Sequence, residues 1–389
     1  MDDARQEFWG DLQADLYVQN TAVYLSNQRL ENLISTNGKK AHRAILTHPQ
    51  VGTYSPHVDI TFETKTATKQ TLEVGTFEYA AEDIDITEKM QTPYDLVAHS
   101  SKSIRNGLLN RVEQVYLSEI TNARHTISGG AIELASSNIL DVLEEAEGKL
   151  GSFDAPYETS MRAAVLGPRT VAKLRRAKSE RETKMGDSVL ANGVVGPWQG
   201  WNIVQNNNLP WSATLTMDTN PTDGDTVTIA GVTFEFRATL GDAAAGNVAV
   251  LRHGSTVATS RANLAAAINN TATAGTTYVQ LGAMDNLMIR RNRNITAASA
   301  QDMLFTGFGD IAVSETLTAA TNVWSAQEQQ SVFMIRGSID LVLQFMDLDI
   351  SKKEKGFADL VKGVIGVGAE TFSDGAVWMV RLRQDVSNF

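Results

Sequence analysis

Cysteine is absent from all 389 residues, which excludes disulfide staples, thiolate zinc sites and a cysteine nucleophile. Stability therefore has to come from packing and from assembly. Long apolar runs are missing too: none approaches the ~18 residues that a membrane-spanning helix needs. The acidic start Met1-Asp2-Asp3 lacks the basic n-region of a secretory signal, so a soluble chain made in the cytoplasm is expected. A basic excess is also lacking. The net charge of -11 argues against tight phosphate-driven binding of nucleic acid, which needs clustered Lys and Arg.

The usual signatures of catalysis are missing as well. There is no Gly-x-x-x-x-Gly-Lys-Ser/Thr loop and no Gly-x-Ser-x-Gly elbow. Gly366-Val367-Gly368 begins like a dinucleotide fingerprint, but Thr371 stands at its third glycine position, and a close-packed strand or turn explains it better. His42, His48 and His57 fit neither helical nor strand metal-ligand spacing. The pairs Asp83/Asp85 and Asp347/Asp349 would each share one strand face, which a solvated edge explains without a cation. Arg290, Arg291 and Arg293 are the densest basic patch of the stretch 212–325, yet Asn and Ile rather than aromatic platforms surround them. Trp198, Trp201 and Trp211 are expected in a core rather than against a sugar. No catalytic, cofactor or metal site is predicted, and the chain is not expected to be an enzyme.

What is present is ordinary for a folded protein, with 42% hydrophobic and 20% charged residues in a length that suggests two or three units. Residues 1–40 carry broken amphipathic segments around Phe8, Leu12, Leu16, Val23, Leu25 and Leu30. Val58, Ile60 and Phe62 alternate with polar residues. After a Thr/Lys tip holding Lys65 and Lys69, Leu72, Val74, Phe77 and Tyr79 read as a return strand, so a long hairpin is expected. Thr92-Pro93 opens a helix of some 25 residues, with Ile104, Leu108, Val112, Val115 and Ile120 on one face. Gly129-Gly130 ends that pattern. A helix from Ile139 to Leu150, a strand from Ala163 to Leu166 and a basic helix from Arg169 to Lys178 follow.

The stretch 192–210 then gives a turn, a strand from Trp201 to Gln205, and the stop Asn206-Asn207-Asn208-Leu209-Pro210. From Ser212 the composition changes: no lysine occurs between Lys184 and Lys352, and Thr, Ala, Asn and Gly dominate. A hairpin over 224–236 with an Ala230-Gly231 turn, a helix over 264–270, and strands near 278–281, 287–290 and 311–317 suggest a separate α+β module. Strands over 341–350, 361–372 and 376–382 close the chain.

That order of elements, with the Gly…Asn-Asn-Leu-Pro stretch, resembles the HK97-like major capsid proteins of tailed phages. The resemblance covers roughly 275 residues of this chain and implies an α+β, HK97-like capsid fold. Its parts would be an N-terminal arm (1–43), an E-loop hairpin (44–80) and a P-domain with its spine helix (81–130, with late strands from about 345–372). An A-domain (131–211 and 326–389) would carry the insertion domain (212–325). It further implies a homo-oligomer of five- and six-membered capsomers, a portal, a separate scaffold, a decoration protein as a possible partner, and packaged double-stranded DNA met only through non-specific proximity, with no membrane. The place would be the virion capsid, after synthesis in the host cytoplasm. Intersubunit contacts would fall on Val58, Ile60, Phe62, Lys65, Lys69, Leu72, Val74 and Phe77. Some relatives join a hairpin Lys to an Asn of a neighbour, but 350–370 holds no Asn, so no cross-link is expected. A tail-tube subunit, or a hydrolase or carbohydrate-binding protein, are the alternative readings.

Overall fold

The long helix sets the frame. A computed structural model describes residues 22–30, 38–46, 49, 51–56, 59–60, 62–91, 95–152, 159–179, 197–198, 200–252, 256–271, 274–353 and 356–387. The first strands are β1 (Lys40–Leu46), β2 (Ala67–Glu73) and β3 (Thr76–Asp85), followed by helix α1 (Ile86–Gln91) and the long α2 (Leu96–Ser118). Asp95 caps α2 by accepting from the Ala98 N–H at 3.2 Å, so the helix starts three residues after the proline expected to open it; Thr92 and Pro93 lie outside the described residues. Ile104, Leu108, Val112, Tyr116 and Leu117 are buried along it, each contributing about 1.5–3 kcal/mol by leaving water.

That face lies on a three-stranded antiparallel sheet of order β15 (Asp340–Lys352), β16 (Ala358–Glu370), β3. Gly363 faces the helix at this contact. A Cβ there would stand 2.8 Å from Ile104 Cγ2 and 2.9 Å from Leu108 Cδ1.

A second, eight-stranded sheet carries the rest. Its main path runs β11 (Thr296–Ala297), β12 (Asp302–Phe308), β7 (Pro210–Thr216), β14 (Val323–Ile335), β17 (Met379–Asp385) and β4 (His125–Glu133). The parallel pair β5 (Arg162–Leu166) and β6 (Asn202–Gln205) joins it through β14. Helices α3 (Ile139–Gly151) and α4 (Pro168–Ser179) bury Leu143, Ala146, Leu150, Val171 and Leu174 in one cluster with Trp201 and Phe333. Two glycine and proline expectations change here. Gly129-Gly130 sit inside β4, beside an irregularity in its pairing with β17 where Ser128 takes φ 61°. Pro210 begins a strand rather than closing one, as a strand's first residue can.

The Thr-rich module is a sandwich. Its second sheet has the order β10 (Val248–Leu251), β9 (Val232–Arg237), β8 (Thr226–Ile229), β13 (Val313–Glu315). Phe234, Phe236 and Val250 pack with Leu264 and Ile268 of α5 (Val257–Asn269), and with Leu215, Met303 and Phe305 of the larger sheet. The expected hairpin is present with Ala230 and Gly231 both at positive φ, as a two-residue turn requires. The expected helix is present too, longer than read, and Asn270 stops it in the left-handed conformation. The expected strand over 287–290 is instead a π-helical turn, Leu287–Arg291. Near 278–281 the only pairing is a single bridge, Val250 with Tyr278. Because β7 and β14 cross the expected limits at 212 and 325 and pair with each other, the module continues the larger sheet.

Candidate assembly surfaces

The hairpin is built otherwise than its sequence suggests. Its strands are β1 and β2, antiparallel from Lys40↔Glu73 to Leu46↔Ala67. The alternating stretch 58–63 is not a strand among the described residues: Ile60 and Phe62 lie unpaired in the tip between β1 and β2, and Val58 is outside the described residues. A two-stranded ribbon is marginal alone, and this one is fastened at its root. Leu72 and Val74 are fully buried with Ala41, Val342 and Phe372, and the Val74 N–H donates to the Lys39 carbonyl at 2.9 Å. Lys40 and Lys39, at 2.8 and 2.9 Å, hold the Glu73 carboxyl at about 2. Two of the expected contact residues, Leu72 and Val74, are therefore anchors within the chain and unavailable to a neighbour.

The other expected contacts among the described residues face outward. Ile60 is 65% and Phe62 91% exposed, in company with exposed Val51 and Tyr54. Lys65 and Lys69 are exposed beside them. Phe77, 51% exposed, lies on the outer face of the three-stranded sheet, next to Tyr79 and its cross-strand neighbour Val364. The inner face of that sheet is covered by α2; on the outer face the root of the arm covers Val342 and Gly368, while Phe77, Tyr79 and Val364 stand exposed. Apolar side chains are thus displayed both at the tip of the arm and on the outer face of the sheet.

The Asn-rich stretch has a role that the sequence reading missed. Glu113 on α2 is fully buried, and three donors from two segments converge on its carboxylate. The Ala22 N–H donates to Oε1 at 3.0 Å, Asn206 Nδ2 to Oε1 at 2.7 Å, and Asn208 Nδ2 to Oε2 at 2.6 Å. One helical turn away, Asn110 Oδ1 accepts from Asn208 at 2.6 Å, and Gln114 Nε2 donates to the Asn292 carbonyl at 2.8 Å. A single buried carboxylate thus ties the N-terminal segment and the Asn stretch to the long helix, with the Thr-rich module fastened beside it. The sequence signal was available: Asn110, Glu113 and Gln114 share one face at i, i+3, i+4.

The remaining polar candidates serve the fold. Arg290 donates to the Ala267 and Ile268 carbonyls at 2.7 and 3.1 Å, capping α5, and Arg293 to the Asp310 carbonyl at 2.6 Å. Burial lowers the pKa of both guanidinium groups. Asp349 pairs with Lys362 at 2.9 Å, Asp83 pairs with Lys353, and Asp85 accepts from Thr87 at 2.6 Å. Trp201 and Trp211 are buried, as expected, and Trp198 is half-buried. No group of three or more His, Asp or Glu able to hold a metal occurs among the described residues. None of their helices is long and apolar enough to cross a membrane.

No family model and no curated protein matches this chain. Solved structures do. A chain of Mycobacterium phage Che8 aligns with TM-score 0.60 over 98% of this chain and 98% of its own, at 13% identity. The capsid structure of cyanophage P-SCSP1u gives 0.55 over 98% and 93%, also at 13% identity. The mature capsid of bacteriophage PhiM1 gives 0.53 over 98% and 92%, at 12% identity. The chain has the α+β, HK97-like capsid fold, and the similarity spans the Thr-rich module as well.

Proposed function

We propose that this chain is the major capsid subunit of a tailed bacteriophage, assembling into pentameric and hexameric capsomers that close into an icosahedral head around double-stranded DNA. The observation that carries the reading is the arm. On a fold shared with phage capsid chains, it holds apolar side chains away from its own body and anchors itself by a buried root. Closed shells need heterologous contacts, in which one patch meets a different patch on the next copy. The exposed tip and the outer sheet face supply two such patches, and several weak contacts per subunit suffice because they act together. Its role is structural, in the virion capsid. A portal, a separate scaffold and a decoration protein would complete the head. The acidic balance of the chain suits DNA that slides past the wall.

The test removes the tip and keeps the root. Deleting 51–62 leaves 47–50 and 63–66 to close the Leu46–Ala67 pair, so β1, β2 and the Leu72 cluster persist. Electron microscopy of the purified full-length chain is expected to show rings or shells, and of the deletion variant only soluble, folded subunits. Normal shells from the deletion variant would overturn the contact assignment. Stacked tubes from the full chain would transfer it to the tail.

A further inference from the structure

The sheet edges of this chain are treated unequally. A chain that must not pair at random keeps its edges short or broken, and most edges of the body follow that rule. The edge strands β6, β10, β11 and β13 have 4, 4, 2 and 3 residues. β4 is interrupted where Ser128 takes φ 61° beside Gly129-Gly130. β15 differs: it has 13 residues and pairs on one side only, with β16.

The near end of β15 is covered by the N-terminal segment. The Asn27 N–H donates to the Ile339 carbonyl at 2.9 Å, its carbonyl accepts from the Leu341 N–H at 3.0 Å, and Gln344 Nε2 donates to the Gly38 carbonyl at 3.1 Å. Beyond Gln344 no strand lies along the free side among the described residues. There Leu348 and Ile350, on the face that looks toward α2, are 41% and 52% exposed. Asp347 and Asp349 stand on the opposite face, and Asp349 is paired with Lys362.

The tip of the arm has the matching pattern. Ile60, Phe62, Thr64 and Thr66 alternate with Asp59, Glu63 and Lys65, a composition suited to a strand. Yet no strand of its own chain joins this stretch before Ala67 among the described residues.

We propose that the tip segment of one copy adds to the free edge of β15 in a second copy as a fourth, antiparallel strand, with Phe62 opposite Ile350, Thr64 opposite Leu348 and Lys65 opposite Asp347. In such an addition main-chain hydrogen bonds supply affinity and alternate side chains supply specificity. Phe62 then covers the apolar rim on the helix side, and the exposed Lys65 ammonium meets the exposed Asp347 carboxylate. A slip by one residue would turn Phe62 and Thr64 to the charged face. The other edge of the same sheet, β3, is a poorer acceptor. It carries Glu78, Glu82, Asp83 and Asp85, which would meet Asp59 and Glu63 of the tip as like charges. The pairing rests on the capsid-subunit reading and fixes where the tip lands.

The lack of cysteine makes the register readable by disulfides between two singly substituted full-length chains. Directly opposed residues of an antiparallel pair have Cα atoms about 4.5–5.5 Å apart, within disulfide reach, whereas cysteines more than ~7 Å apart are not bridged. Thr64→Cys chains mixed with Leu348→Cys chains, left to associate and then oxidised, are expected to give a two-chain band on a denaturing gel. That band should be about tenfold stronger than either chain gives alone. Phe62→Cys with Ile350→Cys should behave alike. Thr64→Cys with Tyr79→Cys, which reports the outer face and β3, should stay at background. Background bands from both opposed pairs, or an equal band with Tyr79→Cys, would defeat the strand addition. Micrographs of the same mixtures keep the two readings apart. Rings or shells without the cross-link remove the pairing alone, and the cross-link in stacked tubes keeps the pairing but removes the capsid reading. A chain that neither associates nor cross-links removes both.

Discussion

Glu113→Ala is expected to lower the stability of the unassembled chain by about 3–5 kcal/mol, because two buried N–H groups and a half-buried one would lose their acceptor, and each buried loss costs about 1–3 kcal/mol. The donors are the Ala22 backbone and the Asn206 and Asn208 amides. They come from separate parts of the chain, so the loss would not be local. The N-terminal segment would be released at Ala22, and Asn208 would keep only its Asn110 contact at 2.6 Å. Glu113→Gln should cost less, since one oxygen still accepts while its new amino group faces an asparagine donor. Urea unfolding of the full chain, followed at constant slope, measures the difference. A loss below about 1 kcal/mol for Glu113→Ala would mean that water replaces the carboxylate at little cost, and that the hub is not an anchor.

The same residues show what could be read in advance and what could not. Helices with a regular apolar face were legible: Ile104, Leu108 and Val112 on α2, and the run from Ile139 to Leu150 on α3, lie where the period predicts. Strands buried on both faces, such as β5, were legible as continuous apolar runs. The Ala230-Gly231 turn announced its hairpin.

The arm misled for a physical reason. β1, Lys-Ala-His-Arg-Ala-Ile-Leu, has only Ala41 buried, so no core imprints an alternation on it. The stretch around Ile60 and Phe62 alternates cleanly but stands exposed, and a pattern suited to a neighbour's surface looks the same as one suited to a core. The turn at 287–291 failed differently. Its apolar Leu-Met-Ile run reads as a strand, whereas the Arg290 contacts to the end of α5 hold it as a π-helical turn. Glu113 is harder to read, because acids on a long helix are normally solvated; the polar face Asn110-Glu113-Gln114 is a signal, but its partner, the Asn stretch, is set by the tertiary fold.

Gly368→Ala is expected to disable assembly at a stability cost of about 1–3 kcal/mol. A Cβ at this position would stand 2.5 Å from the Glu73 carbonyl oxygen, 3.0 Å from Val74 Cα and 3.1 Å from the Glu73 carbonyl carbon. All three are backbone atoms at the stalk of the arm, so no side-chain rotation relieves the clash. Either β16 or the stalk has to shift, and the stalk is the softer of the two, since β16 is paired on both sides through β15 and β3. The subunit should remain folded with its arm displaced from the angle at which the tip meets the next copy.

Gly363 provides the contrast. A Cβ there meets the ends of Ile104, Leu108 and Leu348 at 2.8, 2.9 and 3.4 Å, and these can give way. Gly363→Ala should therefore cost no more than about 1.5 kcal/mol and should still assemble. Gly75→Ala, with nothing within 4 Å of the new carbon, is the neutral control between β2 and β3. Urea midpoints and electron micrographs of the three variants separate the two effects. Normal shells from Gly368→Ala, at unchanged stability, would show that the backbone approach at Glu73 does not set the arm. Loss of assembly in Gly368→Ala alone, with all three folded, ties the angle of the arm to that single contact between β16 and the stalk.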